Sequence, residues 1–527
     1  MSLQNEFGNN FIFSLKIGFI RSKTLIMINN FSFLYLVFSI LFFQNIFGQN
    51  SVFINSPLVC KDQFLTEFIN DKYNENKKEV CEECSSKEKQ IINSILFRRK
   101  EKSLSMIQNG NLILSGPLYD FVNSIYNQIA AANPQIRRKK IILLKDETAN
   151  AFTMGEDIIY IHTGLLYRLQ NKDQLAYILC HELGHDELAH YYSDLRNYAK
   201  QKTDKERERK IKEIMNKKYG HVSNLNEFLV PKLLADMKSS REDELEADSL
   251  GVFFYQNCKF DKAKACTSFD VFLEADHVRD TSIFDFTKEL LLKDGLIDMS
   301  KLTSYSNESS LGDFDDESGL TEAEIEQQKN LNDMLRSHPY EKERSLKLYT
   351  YFNLDVQENF NKKIDIDYKT IRYYSEGEMI LYCFQNQQIG KALFYAMNMK
   401  RNYPSDSYSK EATALSMLAL YYFKNCFKEG IAIENQDEEN DIAYDKLIFF
   451  LKKLSPDECF KIGKNLFESQ DNNSKSIESK VIKLLIFHKE LKNEDFKTLY
   501  LINEEVFKTS VYWKMVNTMF LEVNKRL

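Results

Sequence analysis

Residues that interrupt helices are scarce in this chain. Only 7 prolines and 17 glycines in 527 residues argue against a turn-rich all-β fold and against a low-complexity chain. Charge of one sign is not in excess either. With 70 basic against 77 acidic side chains, and no basic stripe interleaved with aromatics, nucleic acid is not an expected partner. Long apolar runs are equally rare. The one exception, Phe31 to Phe43, follows Arg21 and Lys23 and ends at Phe47-Gly48-Gln49-Asn50, which is the layout of a secretory signal. It falls short of the roughly 20 apolar residues of a membrane span, so cleavage after export is the expectation and retention as an anchor the alternative. Met27 offers a second start, and residues 1–49 are therefore read as a signal peptide with an N-terminal extension. The nine cysteines fit export without demanding it. Cys81 and Cys84 lack a second Cys-x-x-Cys pair at zinc-site spacing, so a structural disulfide, with Cys60 as a candidate partner, is expected there. Cys258 and Cys266 are expected to pair across a short loop, and Cys180 to be a buried thiol.

What the chain does contain is helical periodicity around a short β-rich stretch. Residues 50–105 read as a helical lead-in. Leu118, Phe121, Val122, Ile125 and Ile129 recur at helical spacing until Asn133-Pro134 ends the run. Lys140–Leu144, Ala151–Met154 and Ile158–His162 follow as three short strands, the last two joined by a Gly155-Glu156-Asp157 turn. A helix is expected from an Asp173 N-cap, a solvated helix or insertion over residues 200–218, and another helix from about Arg241 to Tyr255. The acidic, Ser- and Gly-containing stretch 303–326 reads as a flexible loop. Beyond 350 the pattern is helical, with Ala392, Ala396, Met399 and Pro404 at tetratricopeptide-like spacing. The fold class is thus mostly α with a small β-sheet (α+β), ending in an all-helical region over residues 351–527.

The chemistry is concentrated at His181-Glu182-Leu183-Gly184-His185. Four-residue spacing puts both histidines on one helical face, near enough to share one zinc ion, and places Glu182 beside the position of a water as its general base. Only 8 histidines occur in the chain, so this pairing is hard to assign to chance. The apolar turn before it, with Leu175, Ala176, Ile178 and Leu179, puts the motif in or beside a core, where unpaired polar groups are costly. A third ligand is offered by Ser240-Arg241-Glu242-Asp243-Glu244-Leu245-Glu246-Ala247-Asp248. Glu244 is assigned as ligand and Asp248, one turn on, as acceptor of the far N–H of a ligating imidazole. Glu242, Asp243 and Glu246 read as a solvated face.

These two motifs together resemble the gluzincin metallopeptidases that include the CAAX prenyl proteases, the HtpX heat-shock proteases, the mitochondrial Oma proteases and the BepA-type periplasmic proteases. Asn150-Ala151-Phe152 and Gly164-Leu165-Leu166 match the family pattern ahead of the first motif, and the resemblance covers about residues 106–350. It implies a zincin-like peptidase domain with one Zn2+ per chain. It also implies an edge strand, Asn150, Ala151, Phe152, Thr153 and Met154, on which an extended substrate pairs by its backbone. His338-Pro339 and Arg344 fit the family's downstream His-Pro and Arg. There His338 would stabilise the developing oxyanion or latch the open coordination place, and Arg344 would support it. His190 is read as structural. The prenyl and heat-shock members span membranes repeatedly and this chain does not follow them, so membrane-embedded substrates are not implied.

The expectation is a zinc metalloendopeptidase exported to the periplasm or cell envelope, in protein quality control or processing. Its substrates would be unfolded or extended polypeptides, and its C-terminal helices would meet envelope or peripheral membrane partners. The competing reading is a non-catalytic zinc-containing binding or chaperone scaffold.

Overall fold

The computed structural model describes residues 63–79, 83–215, 221–270, 285–293, 295–301, 341–356, 364–426, 429–433, 442–470 and 475–526. The signal segment, the 303–326 loop and His338 lie outside them. Two helices open the fold, α1 (Gln63–Glu79) and α2 (Ser86–Gln108), the second started by a Ser85/Glu88 capping box. Then come β1 (Leu112–Ile113), α3 (Pro117–Ala132), β2 (Lys140–Leu144), β3 (Ala151–Thr153) and β4 (Ile158–His162). The sheet has four strands in the order β1-β2-β4-β3, with β2 and β4 parallel and the other two pairs antiparallel. β1 was not anticipated because a two-residue strand carries no readable alternation.

Both faces of this sheet are covered, which is why its central strands read as unbroken apolar runs. Ile141, Leu143, Ile159 and Ile161 join the core beneath α3 and the motif helix, whereas Ile142, Leu144, Ile158 and Tyr160 pack with Leu65, Ile69 and Ile107 of α1 and α2. β3 stays at the edge, and no further strand pairs with its outer side among the described residues.

After the short α4 (Thr163–Arg168) the motif helix α5 runs Lys172–Glu187. Its N-cap is Asn171, whose side chain accepts from the N–H of Asp173 and Gln174. Asp173, the expected cap, instead accepts from the Asp261 N–H at 2.9 Å. α6 (His190–Thr203) and α7 (Lys205–Met215) follow, and α7 buries no residue, as its charge density predicts. The second motif lies on α8 (His221–Gln256), which begins twenty residues before the expected Arg241 start. α9 (Glu341–Tyr351) returns to α8 and completes the site.

The longer helices that remain are α10 (Ile366–Gln385), α11 (Ile389–Asn402), α12 (Ser407–Asn425), α13 (Ile442–Lys453), α14 (Pro456–Glu468), α15 (Ile477–Lys489), α16 (Asn493–Lys508) and α17 (Trp513–Arg526), packed around their own core. α10 ties this region to the sheet side: Tyr368 Oη donates to the Leu166 carbonyl at 3.1 Å, Lys145 pairs with Glu378 at 2.9 Å, and Lys391 of α11 pairs with Glu147. The cysteine expectations divide. Cys84 is disulfide-bonded, its candidate partners Cys60 and Cys81 lying outside the described residues, and Cys180 is a buried thiol, but Cys258 and Cys266 are both free. They flank a short helix, Lys262–Ala265. Cys266 is packed into the core there, while Cys258 is half-buried beside Asn133 and the Phe254 carbonyl.

Within α10, Glu376 is buried and burial pushes its carboxyl up to about 8. The folded chain therefore keeps a proton that the unfolded chain releases near 4.5, the ordinary value. The stability this contributes is present below 4.5 and is lost as pH rises towards 8, by up to about 1.4 kcal/mol per pH unit. Glu376→Gln should flatten the fall in urea midpoint between pH 5 and pH 8; an unchanged pH dependence would show that Glu376 is not its source.

Candidate metallopeptidase site

The site is made where α5 crosses α8, and two glycines permit the approach. A Cβ on Gly184 would lie 2.7 Å from the Ala247 carbonyl oxygen, and one on Gly251 would lie 3.1 Å from His181 Cα. With the helix backbones this close, side chains one turn apart on each helix meet across the seam. His181 Nε2 and His185 Nε2 lie 3.1 Å apart, Glu244 Oε2 lies 3.6 Å from His181 Nε2, and Glu244 Oε1 lies 3.4 Å from His185 Nε2. The three donor atoms fall within 4.8 Å of one another. Two nitrogens and one carboxylate oxygen converging on a common point, His181 and Glu244 buried and His185 largely so, suit a divalent zinc ion that keeps a coordination place open.

The surrounding groups are ordered by charge. Asp248 Oδ1 sits 3.0 Å from His181 Nδ1, the far nitrogen of that imidazole. Arg344, fully buried on α9, grips Asp248 through Nε and Nη2 at 2.8 Å each and reaches Glu244 Oε2 through Nη1 at 3.0 Å. Its guanidinium also lies over the Phe269 ring, 3.8 Å from the centroid. Burial by itself would raise the Asp248 carboxyl, but the Arg344 charge and the bonds from His181 and Arg344 hold it at about 2. Burial pushes Glu182 up to about 7 and His185 down to about 4, as expected for a desolvated acid and base.

The structure thus brings together His181, His185, Glu244, Asp248 and Arg344, with Glu182 buried on the same helix, while Asn150 to Met154 run along the edge strand that packs on α5. Arg344 was expected to support His338 at the site; His338 lies outside the described residues, and among those described Arg344 contacts Asp248, Glu244 and His181. The sequence reading did not anticipate the contact between His185 and His190, or the closeness enforced by Gly184 and Gly251. The small residues facing each other in the two motifs were the available signal for the latter.

Two histidines from one helix and a glutamate from a second define a gluzincin-type metallopeptidase domain. Residues 121–351 match the model of peptidase family M48. The chain is also similar, at 22% identity over 162 residues, to a Vibrio cholerae serotype O1 protein named "Putative beta-barrel assembly-enhancing protease". That match covers 30% of this chain and only about a third (34%) of the relative.

Two outcomes follow for stability. Gly184→Ala must push α5 from α8, at a cost of about 1–3 kcal/mol in urea unfolding; a neutral result would mean the seam is looser than described. Arg344→Met strands two buried carboxylates and should cost about 3–5 kcal/mol by the same measurement, whereas a loss below about 1 kcal/mol would show that Asp248 and Glu244 do not depend on it.

Proposed function

We propose that the chain is a zinc-dependent endopeptidase that cleaves extended polypeptide, with His181, His185 and Glu244 as ligands and Glu182 as general base. The observation that carries this reading is the convergence of those three donors beside a buried glutamate. Zinc held there supplies Lewis acidity, polarising the scissile carbonyl and making water acidic enough to be deprotonated near neutral pH. Glu182, whose proton affinity burial raises towards neutrality, takes the proton from the attacking water and delivers it to the departing amine. Asp248 accepts from His181 Nδ1–H and so keeps the Nε2 lone pair directed at the ion, while Arg344 holds Asp248 and Glu244 in place.

Substrate is assigned to β3. Its outer side has no strand partner among the described residues, and Asn150 Oδ1 and Thr153 Oγ1 are buried without hydrogen bonds, which favours an extended segment laid along this edge. His338, outside the described residues, keeps its proposed role as oxyanion stabiliser or latch. The secretory layout before residue 50 supports export to a periplasm or envelope, and no described helix is long and apolar enough to cross a membrane. Leu501 and Ile502 on α16 and Leu521 on α17 are exposed and are the surface we assign to partner proteins. The relative's name points to β-barrel assembly, but its match covers only 30% of this chain and 34% of the relative, so misfolded exported proteins in general are the proposed substrates.

Glu182→Gln should retain one zinc per chain and lose cleavage of casein by a factor of at least ~10³. A Glu182→Gln chain that cleaves normally would contradict the assignment. Zinc binding without cleavage by the wild-type chain, also after removal of His338, would favour a binding scaffold.

A further inference from the structure

His181 and His185 differ in what stands behind their far nitrogens. Asp248 backs His181, but His185 Nδ1 meets a second imidazole, His190 Nδ1, at 2.9 Å. A tight turn brings His190 back to the site: Ala189 has φ +53°, and the Leu188 and Ala189 N–H groups bond to the Gly184 and Asp186 carbonyls. His190 is buried, and its Nε2 makes no hydrogen bond. That nitrogen faces Asp243 Oδ1 at 3.8 Å and Glu246 Oε2 at 3.6 Å, two carboxylates that the sequence assigns to a solvated face.

Counting hydrogens decides what this arrangement can do. Between two neutral imidazoles in contact through their Nδ1 atoms there is room for a single hydrogen. If His185 turns its Nε2 lone pair to a metal, its own hydrogen sits on Nδ1 and His190 Nδ1 must accept it. His190 then carries its hydrogen on Nε2, directed at Asp243 and Glu246. We propose that His190 is a positioning residue that fixes the tautomer and ring orientation of His185, with Asp243 and Glu246 as the outer acceptors. One ligand imidazole is held by a carboxylate directly and the other by a carboxylate through a second histidine. This inference rests on the metal-site reading above.

The same three outer side chains, with donor atoms within 4.8 Å, have the composition of a cation site of their own. The hydrogen count separates the two uses, because His190 Nε2 cannot both carry a hydrogen and donate a lone pair to an ion.

The test measures zinc affinity by chelator competition, together with ion stoichiometry and the visible spectrum of the cobalt-substituted chain. The wild type, His190→Leu, His190→Asn and the Asp243→Asn/Glu246→Gln double variant are compared, all with thermal melts. The wild type should bind one ion. His190→Leu should bind it about 10–100-fold more weakly and shift the cobalt bands. His190→Asn, whose side-chain oxygen can accept near the position of Nδ1, should recover most of the affinity. The double variant changes only the outer, more exposed acceptors and reports even if His190→Leu folds poorly; it should lose about 2–5-fold. Wild-type affinity in both His190→Leu and the double variant would overturn the inference alone. So would equal loss in the Leu and Asn variants, or a second ion that disappears with His190. A wild-type chain that binds no zinc would overturn the metal site and this inference together.

Discussion

Two carboxylates of one helix, Glu244 and Asp248, are held out of water beside two imidazoles of another, and the positive charge that makes this tolerable is Arg344. Burying such acids without a partner would shift them to their neutral forms, which are poor metal ligands and weaker hydrogen-bond acceptors. Arg344 is itself fully buried and comes from a helix 96 positions away from Asp248 in the chain, so the site closes only when α9 has docked onto α8. Folding of the peptidase part and assembly of its chemistry are one event in this account.

The helix crossing sets the rest of the geometry. Gly184 lies inside the first motif and Gly251 just after the second, and each faces backbone of the other helix at distances where a side chain would intrude. Close backbones shorten the reach each functional group must span, and short reach is what lets His181, His185 and Glu244 meet with little rotamer freedom. The sheet plays a supporting part. Covered by α1 and α2 on one face and by α3 and α5 on the other, it is a rigid floor that leaves only β3 open at its edge.

Much of this was legible in the sequence because it is encoded locally. The four-residue spacing of His181 and His185, and of Glu244 and Asp248, is a helix-face signal needing no tertiary information. Strands Lys140–Leu144 and Ile158–His162 were readable from their β-branched composition, and the apolar spacing of α3 matched its buried face. What escaped depends on distant contacts. Arg344 was given a supporting place at the site by resemblance, but its pairing with Asp248 and Glu244 is something no periodicity reveals. His190 looked structural because five residues separate it from His185, which is off the helical face; only the left-handed turn at Ala189 returns it to contact. Cys258 and Cys266 were paired by sequence proximity, but Cys266 is drawn into the core while Cys258 faces Asn133.

The one-ion site proposed for these buried donors can be probed by zinc X-ray absorption on the purified chain. Such a site predicts a first shell of nitrogen and oxygen only, at about 2.0–2.1 Å, with outer-shell scattering from two imidazoles that falls to one in His185→Ala. Sulfur in the first shell, or imidazole scattering unchanged in His185→Ala, would contradict it.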